Sequence, residues 1–209
     1  MIRCIKLLFS LAMMLCSILS TAQSPLASFS NEWNNAMYAK AYTASDVKYM
    51  SEEEKKVIHI LNLIRLNPLL FLKTVVMKYP TVSMNPSLEN SLYFKSLITT
   101  LQNQQPLPVF TPNEKCYTSA NCHAIISGHK NYVGHNRLSA ECISKQFFSG
   151  ECCSYGYSTA IDIVLTLLID KDVPSLGHRY ALLGTYKNCG VSIQPHRKYG
   201  FNAVIDFQY

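Results

Sequence analysis

All eight glycines of this 209-residue chain fall at or after position 128. A stretch without glycine has no cheap entry to left-handed backbone, so its breaks fall to proline and to short polar side chains. Residues 51–127 therefore read as helices separated by such breaks. Ser51-Glu-Glu-Glu54 is a capping box, and the helix it opens carries Val57, Leu61 and Ile64 on one face. Asn67-Pro68 ends that helix, because the residue before proline avoids helical backbone and proline has no N–H to give. Pro68 can itself begin a short helix to about Lys78. Residues 79–90, with two prolines, two asparagines and two serines, read as a loop, followed by a helix over about 87–102. Pro106 and Pro108 break the chain again. Thr111-Pro112 is the predicted start of a helix running to about Ser127, with Gly128 as its stop.

From 128 to 158 glycine and cysteine enter, and the segment reads as loop with one short strand. Residues 159–170, TAIDIVLTLLID, are a predicted helix with Ala160, Val164 and Leu167 inward; a short helix follows Gly177 and stops at Gly184. CGVSI (189–193) and FNAVIDF (201–207) alternate as strands do, around a PHRKYG turn. The pattern is that of an α+β protein.

Before the fold come targeting and charge. Arg3 and Lys6 precede a 13-residue apolar run, 7–19, and Ser20-Thr21-Ala22 supplies small residues for cleavage. Residues 1–22 read as a signal peptide cleaved after Ala22, so the protein is expected to be secreted or periplasmic. The run is short for a membrane span, and no later stretch reaches about 18 apolar residues, so an integral membrane protein is not expected. Residues 23–50, holding the sole tryptophan, Trp33, read as an N-terminal extension to a domain over 51–209. Net charge is +6, and +4 without the leader (17 Lys+Arg against 13 Asp+Glu). Its densest basic cluster is His196-Arg197-Lys198, too short a run to argue for nucleic acid. Six cysteines remain after the leader: Cys116, Cys122, Cys142, Cys152, Cys153 and Cys189. An even number in an exported chain makes all six disulfide candidates, while the lack of any Cys-x-x-Cys argues against a structural zinc site.

Three of the six histidines directly follow a glycine: His129, His135 and His178. Gly150-Glu151 repeats the arrangement with an acid. His135, Glu151, Asp170 and His178 each lie at a structural break, and two histidines with two carboxylates suit a divalent cation or an acid–base set. His123 and His129 lie on or at the end of a helix and read as incidental.

The ordered segments KVIHILNLIRLNP, GHNR, SGECCSYG, LLIDKDVPSLGHRYALLG and GVSI…FNAVIDF resemble the CAP superfamily, or SCP domain, over about 52–208. That group includes cysteine-rich secretory proteins, insect venom antigen 5 and plant pathogenesis-related 1 proteins. Gly-His-Arg at 177–179 is similar to its bacterial branch. The resemblance implies a three-layer α-β-α sandwich around a central antiparallel sheet. It also implies a cleft in which His135 and His178 match the two histidines, Glu151 the acid of a Gly-Glu-Asn motif, and Asp170 the second acid. Three positions depart from the pattern: Leu167 replaces a helical aromatic, Asp170 stands in place of a glutamate and is one methylene shorter, and Cys152 replaces the motif asparagine. The resemblance further implies that Cys142 pairs with Cys152 or Cys153, and that Cys189 ties the sheet to a helix.

Two functions compete. One is a secreted, non-catalytic binding module whose cleft holds a divalent cation such as zinc at His135 and His178, with a groove for a lipid, peptide or protein ligand. The other is a metal-assisted, peptidase-like hydrolase using His135, Glu151 and His178, with Ser149 or Ser175 as an imaginable nucleophile. No Gly-x-Ser-x-Gly elbow supports the second. A third reading makes the four residues a polar network that only stabilises loops.

Overall fold

The computed structural model describes residues 23–209; the predicted signal peptide lies outside them, as do Cys4 and Cys16. In chain order the helices and strands are α1 (Glu52–Leu66), α2 (Pro68–Thr74), α3 (Tyr79–Val82), α4 (Leu92–Asn103), β1 (Thr111–Pro112) and α5 (Glu114–Lys130). There follow α6 (Ala140–Ser144), β2 (Gly150–Tyr155), α7 (Ala160–Ile169), α8 (Gly177–Leu182), β3 (Asn188–His196) and β4 (Gly200–Gln208). The α+β class is as expected, and so is the terminal hairpin.

Helix α1 starts at the capping box: Glu54 N–H donates to Ser51 Oγ (3.3 Å) and Ser51 N–H to Glu54 Oε2 (2.7 Å). The other Glu54 oxygen accepts the Ile193 N–H at 2.8 Å, so one side chain both caps α1 and anchors β3. Val57, Leu61 and Ile64 are buried in the main core. Asn67 ends α1 and caps α2 through Leu70 N–H, with Pro68 at the first turn. Residues 79–90 hold the short helix α3 and a 3-10 turn over Pro86–Asn90 rather than open loop, because Leu88, Tyr79 and Pro80 reach the core.

Residues 23–50 do more than drape over the surface. Leu26, Trp33, Tyr38, Ala41, Ala44 and Met50 belong to the same apolar core as α1 and α7. Trp33 Nε1–H donates to Thr74 Oγ1 at 3.0 Å, satisfying the indole donor that its burial would otherwise strand. Asn62, fully buried on α1, binds Ala41 O and both backbone groups of Phe110, joining three segments.

Two expectations around α5 fail. Thr111-Pro112 forms strand β1, and the helix begins after Asn113, whose side chain accepts from Lys115 and Cys116 N–H. Gly128 does not stop the helix; α5 continues to Lys130 and ends at Asn131, whose φ of 57° is left-handed. Gly128 is where α5 meets β3: a Cβ there would lie 2.0 Å from Pro195 O, and one at Gly190 would lie 2.0 Å from Tyr117 N. The two glycines let helix and strand backbones touch, which is a packing role rather than a stop.

The four-stranded sheet runs β1-β3-β4-β2. It is mixed rather than wholly antiparallel, since β1 pairs parallel to β3 while β3–β4 and β4–β2 are antiparallel. The register sets Glu151 opposite Asp206. Helix α5 packs on β3 and β4, and α1 on β3 and α7. Among the described residues no single helix is long and apolar enough to cross a membrane.

Candidate functional site

His178 is positioned by local backbone. Helix α7 ends at Asp170, itself left-handed with φ 57°. Helix α8 opens after Leu176, also left-handed and unable to cap with its side chain. Asp170 takes over that capping: Oδ2 accepts from His178 N–H (3.0 Å) and Arg179 N–H (3.3 Å). Its Oδ1 lies 2.7 Å from His178 Nδ1. A carboxylate can only accept there, so Nδ1 carries a proton and, in the neutral ring, Nε2 offers the lone pair. Arg179 turns the other way, into the core, where its guanidinium donates to the carbonyls of Leu168, Ile169 and Tyr93 and to Ser96 Oγ. Gly177-His178-Arg179 thus sends a histidine to the cleft and an anchor beneath it.

His135 is positioned by a charge network. It follows Gly134, whose φ of +133° is open to glycine and strained for other residues. Gly134 is pinned on both sides: its N–H donates to Tyr155 Oη (3.0 Å) and its carbonyl lies 2.9 Å from His123 Nε2. His135 Nδ1 lies 2.8 Å from Glu151 Oε1, with the imidazole 56% exposed and the carboxylate 2%. Behind them Arg137 Nη1 stands 2.6 Å from Glu151 Oε2, and its Nη2 stands 3.2 Å from Asp206 Oδ2. Both carboxylates and the guanidinium are buried.

One guanidinium faces two acids, and the imbalance is resolved by a proton. The Arg137–Glu151 contact is close but outside hydrogen-bonding alignment, leaving Glu151 Oε2 and Asp206 Oδ1 buried without a hydrogen-bond partner. Burial, together with the charge of Glu151, pushes the Asp206 carboxyl up to about 9. Asp206 is therefore neutral at pH 7, and the pair carries one negative charge against Arg137. Burial also pushes Glu151 upward, but the His135 hydrogen bond and the Arg137 charge outweigh it and hold Glu151 below the usual carboxylate range. The same hydrogen bond from Glu151 raises His135, against the opposing effect of burial.

The two imidazoles face each other with ring centroids 6.4 Å apart, and both line a cleft of about 590 Å³ with Ser175, Tyr180 and Tyr186. The four sequence-predicted residues come together, but not as four equal ligands. Glu151 and Asp170 stand behind the histidines on their Nδ1 atoms, so they orient the imidazoles and leave two Nε2 atoms for a ligand. Ser149 Oγ is engaged by Gln208 Oε1 (2.8 Å), and among the described residues neither it nor Ser175 hydrogen-bonds to a histidine. His129 is exposed at the end of α5, away from the cleft.

The cysteines depart from expectation. Cys142 pairs with Cys122, not with Cys152 or Cys153; α6 lies beside α5 and brings the two Cα atoms to 5.4 Å. Strand pleating sends Cys152 and Cys153 to opposite faces of β2, the first into the main core and the second against Ala120 and Ala124 of α5. Cys116, Cys152, Cys153 and Cys189 are free and buried, so Cys189 forms no covalent tie to a helix.

Three site residues were missed by sequence reasoning: Arg137, Asp206 and His123. Arg137 carried a weak signal, a basic residue two positions after His135 in a glycine-rich loop. Asp206 was legible only as a lone acid inside an apolar strand. His123 is buried on the inner face of α5, in register with Cys116, Ser119, Ala120 and Ser127. Together with Glu151 and Cys153 it forms a group whose nitrogen, oxygen and sulfur donors all lie within 4.8 Å of one another, able in principle to hold a metal ion. No family model, curated protein or solved structure matches the chain.

Proposed function

We propose that the protein is an exported binding module of the CAP type, whose cleft holds a divalent cation between His135 and His178 and uses it to bind a ligand. The observation that carries this reading is the pair of histidine–carboxylate dyads. Each Nδ1 is fixed by a buried acid, 2.8 Å away at Glu151 and 2.7 Å at Asp170, and each ring lines the same cleft. Carboxylate-backed imidazole is the usual partner of a borderline cation such as zinc, because the acid fixes the tautomer and raises ligand basicity. A bound cation would supply a positive, Lewis-acidic centre for an anionic or carbonyl group of a lipid, peptide or protein ligand. The three-layer arrangement implied by the CAP resemblance is supported by α5 packing on β3 and β4, and by α1 packing on β3 and α7. A serine-nucleophile hydrolase is not supported, because neither Ser149 nor Ser175 hydrogen-bonds to a histidine among the described residues.

Zinc titration followed by imidazole nitrogen NMR tests the reading. The Nε2 resonances of His135 and His178 should move together and return on adding a chelator. Thermal stabilisation by zinc, about 2.7 kcal/mol at a hundredfold excess over Kd, should shrink in His135→Ala/His178→Ala. Resonances that stay in place for either histidine overturn it.

A further inference from the structure

Behind the cleft, the His123, Glu151 and Cys153 group is left unexplained by the two histidine dyads. Glu151 and Cys153 are two residues apart on β2 and so share the face turned toward α5, from which His123 projects. Their donor atoms lie within 4.8 Å of one another, as noted above. Two further distances tighten the cluster: Cys153 Sγ lies 3.8 Å from His135 Nδ1 and 4.0 Å from Gly134 O. His123 is 1% exposed and Cys153 8%.

The plain alternative is a thiol acting as a small apolar filler, since Cys153 packs in a minor cluster with Ala120, Ala124 and Val204. A filler requires no imidazole or carboxylate beside it. Here thiol, imidazole and carboxylate, each able to donate an electron pair, converge beside that apolar cluster. They come from two rigid elements, α5 and β2, that already pack together through β4. Glu151 Oε1 holds His135, while Oε2 faces Arg137 Nη1 at 2.6 Å without an aligned hydrogen bond.

We propose that Cys153, His123 and Glu151 form a buried site for a thiophilic divalent cation such as zinc, behind the His135–His178 pair and sharing Glu151 with it. One sulfur, one nitrogen and one oxygen ligand match the preferences of that cation. As the sulfur–metal bond forms, the Cys153 thiol gives up its proton to water, so uptake releases acid. The half-exposed His135 ring lies beside this site, its Nδ1 3.8 Å from the Cys153 sulfur.

Cadmium serves as the probe, because its bond to a thiolate gives an ultraviolet charge-transfer band. The purified protein, with the Cys122–Cys142 disulfide intact, should develop this band as cadmium is added, and Cys153→Ser should abolish it. Cys152→Ser should retain the band, since its sulfur faces the opposite side of β2. His178→Ala should also retain it, so that failure of the cleft reading and failure of this one are distinguishable. His123→Ala should weaken cadmium binding about tenfold or more and provides a second route if Cys153→Ser does not fold. No band in the wild-type protein, or a band that survives Cys153→Ser, overturns the site.

Discussion

The two halves of the cleft orient their histidines by the same device, an acid on Nδ1, yet hold the acids in different ways. Asp170 lies eight residues from His178, and its carboxylate also caps α8 through two backbone N–H groups. Backbone geometry therefore holds that half. Glu151 lies sixteen residues from His135 and is held by buried charge: Arg137 on one side, Asp206 opposite on β4. Backbone dipoles are neutral and local, so the first half is insensitive to distant changes. Buried charges are long-ranged in a poorly screening interior, so the second half couples His135 to β4 and to pH.

Removing the charge network should have the largest effect. Arg137→Ala leaves Glu151 without its counter-charge beside Asp206 in the interior, and should cost about 3–5 kcal/mol in urea unfolding at neutral pH. Asp170→Ala in the other half removes acceptors for two N–H groups and one imidazole, for which about 2 kcal/mol is expected. Equal losses would erase the distinction between the halves. A third test separates the halves by pH. Asp206 titrates at about 9 when folded, against about 3.9 in an unfolded chain. A raised folded value stabilises fully below the unfolded one and fades as pH rises through the folded one. The Asp206 contribution should thus decline from about pH 4 to about pH 9, so the stability difference between wild type and Asp206→Asn should change across that range; a difference constant with pH would show that Asp206 is ionised in the fold. The smallest effect is confined to one ring. Glu151→Gln should lower the His135 pKa toward about 6.5, read by NMR titration, because the raised value depends first on the Glu151 hydrogen bond. A His135 titration that stays raised in this variant would assign the shift to another charge.

Much of the fold was legible because its signals are local. Ser51 and Glu54, Asn67-Pro68, the apolar face of 159–170 and the alternation of 189–207 each encode an element within a few residues. Gly128 shows where this fails: a glycine near a helix end reads as a stop, but contact with Pro195, sixty-seven residues away, decides its role. Disulfide pairing failed likewise, since which cysteine meets Cys142 depends on how α6 lies on α5. In the site, Gly134-His135 and Gly177-His178 stood out because glycine and a chemical side chain share one stretch. Arg137 and Asp206 did not, because a buried ion pair is defined by its partner and neither partner is near in sequence.

The sequence by itself determined most of the longer helices, the terminal hairpin, and that His135, Glu151, Asp170 and His178 lie at structural breaks. Capping, proline breaks and periodicity are short-range forces, and they act before the chain is compact. Only the tertiary structure decided that Glu151 and Asp170 stand behind the histidines, that Asp206 is buried against Glu151 and Arg137, and that His123 meets Cys153. Each of these follows from a charge or donor placed in a low-dielectric interior, and that interior exists only once α5 has closed over the sheet.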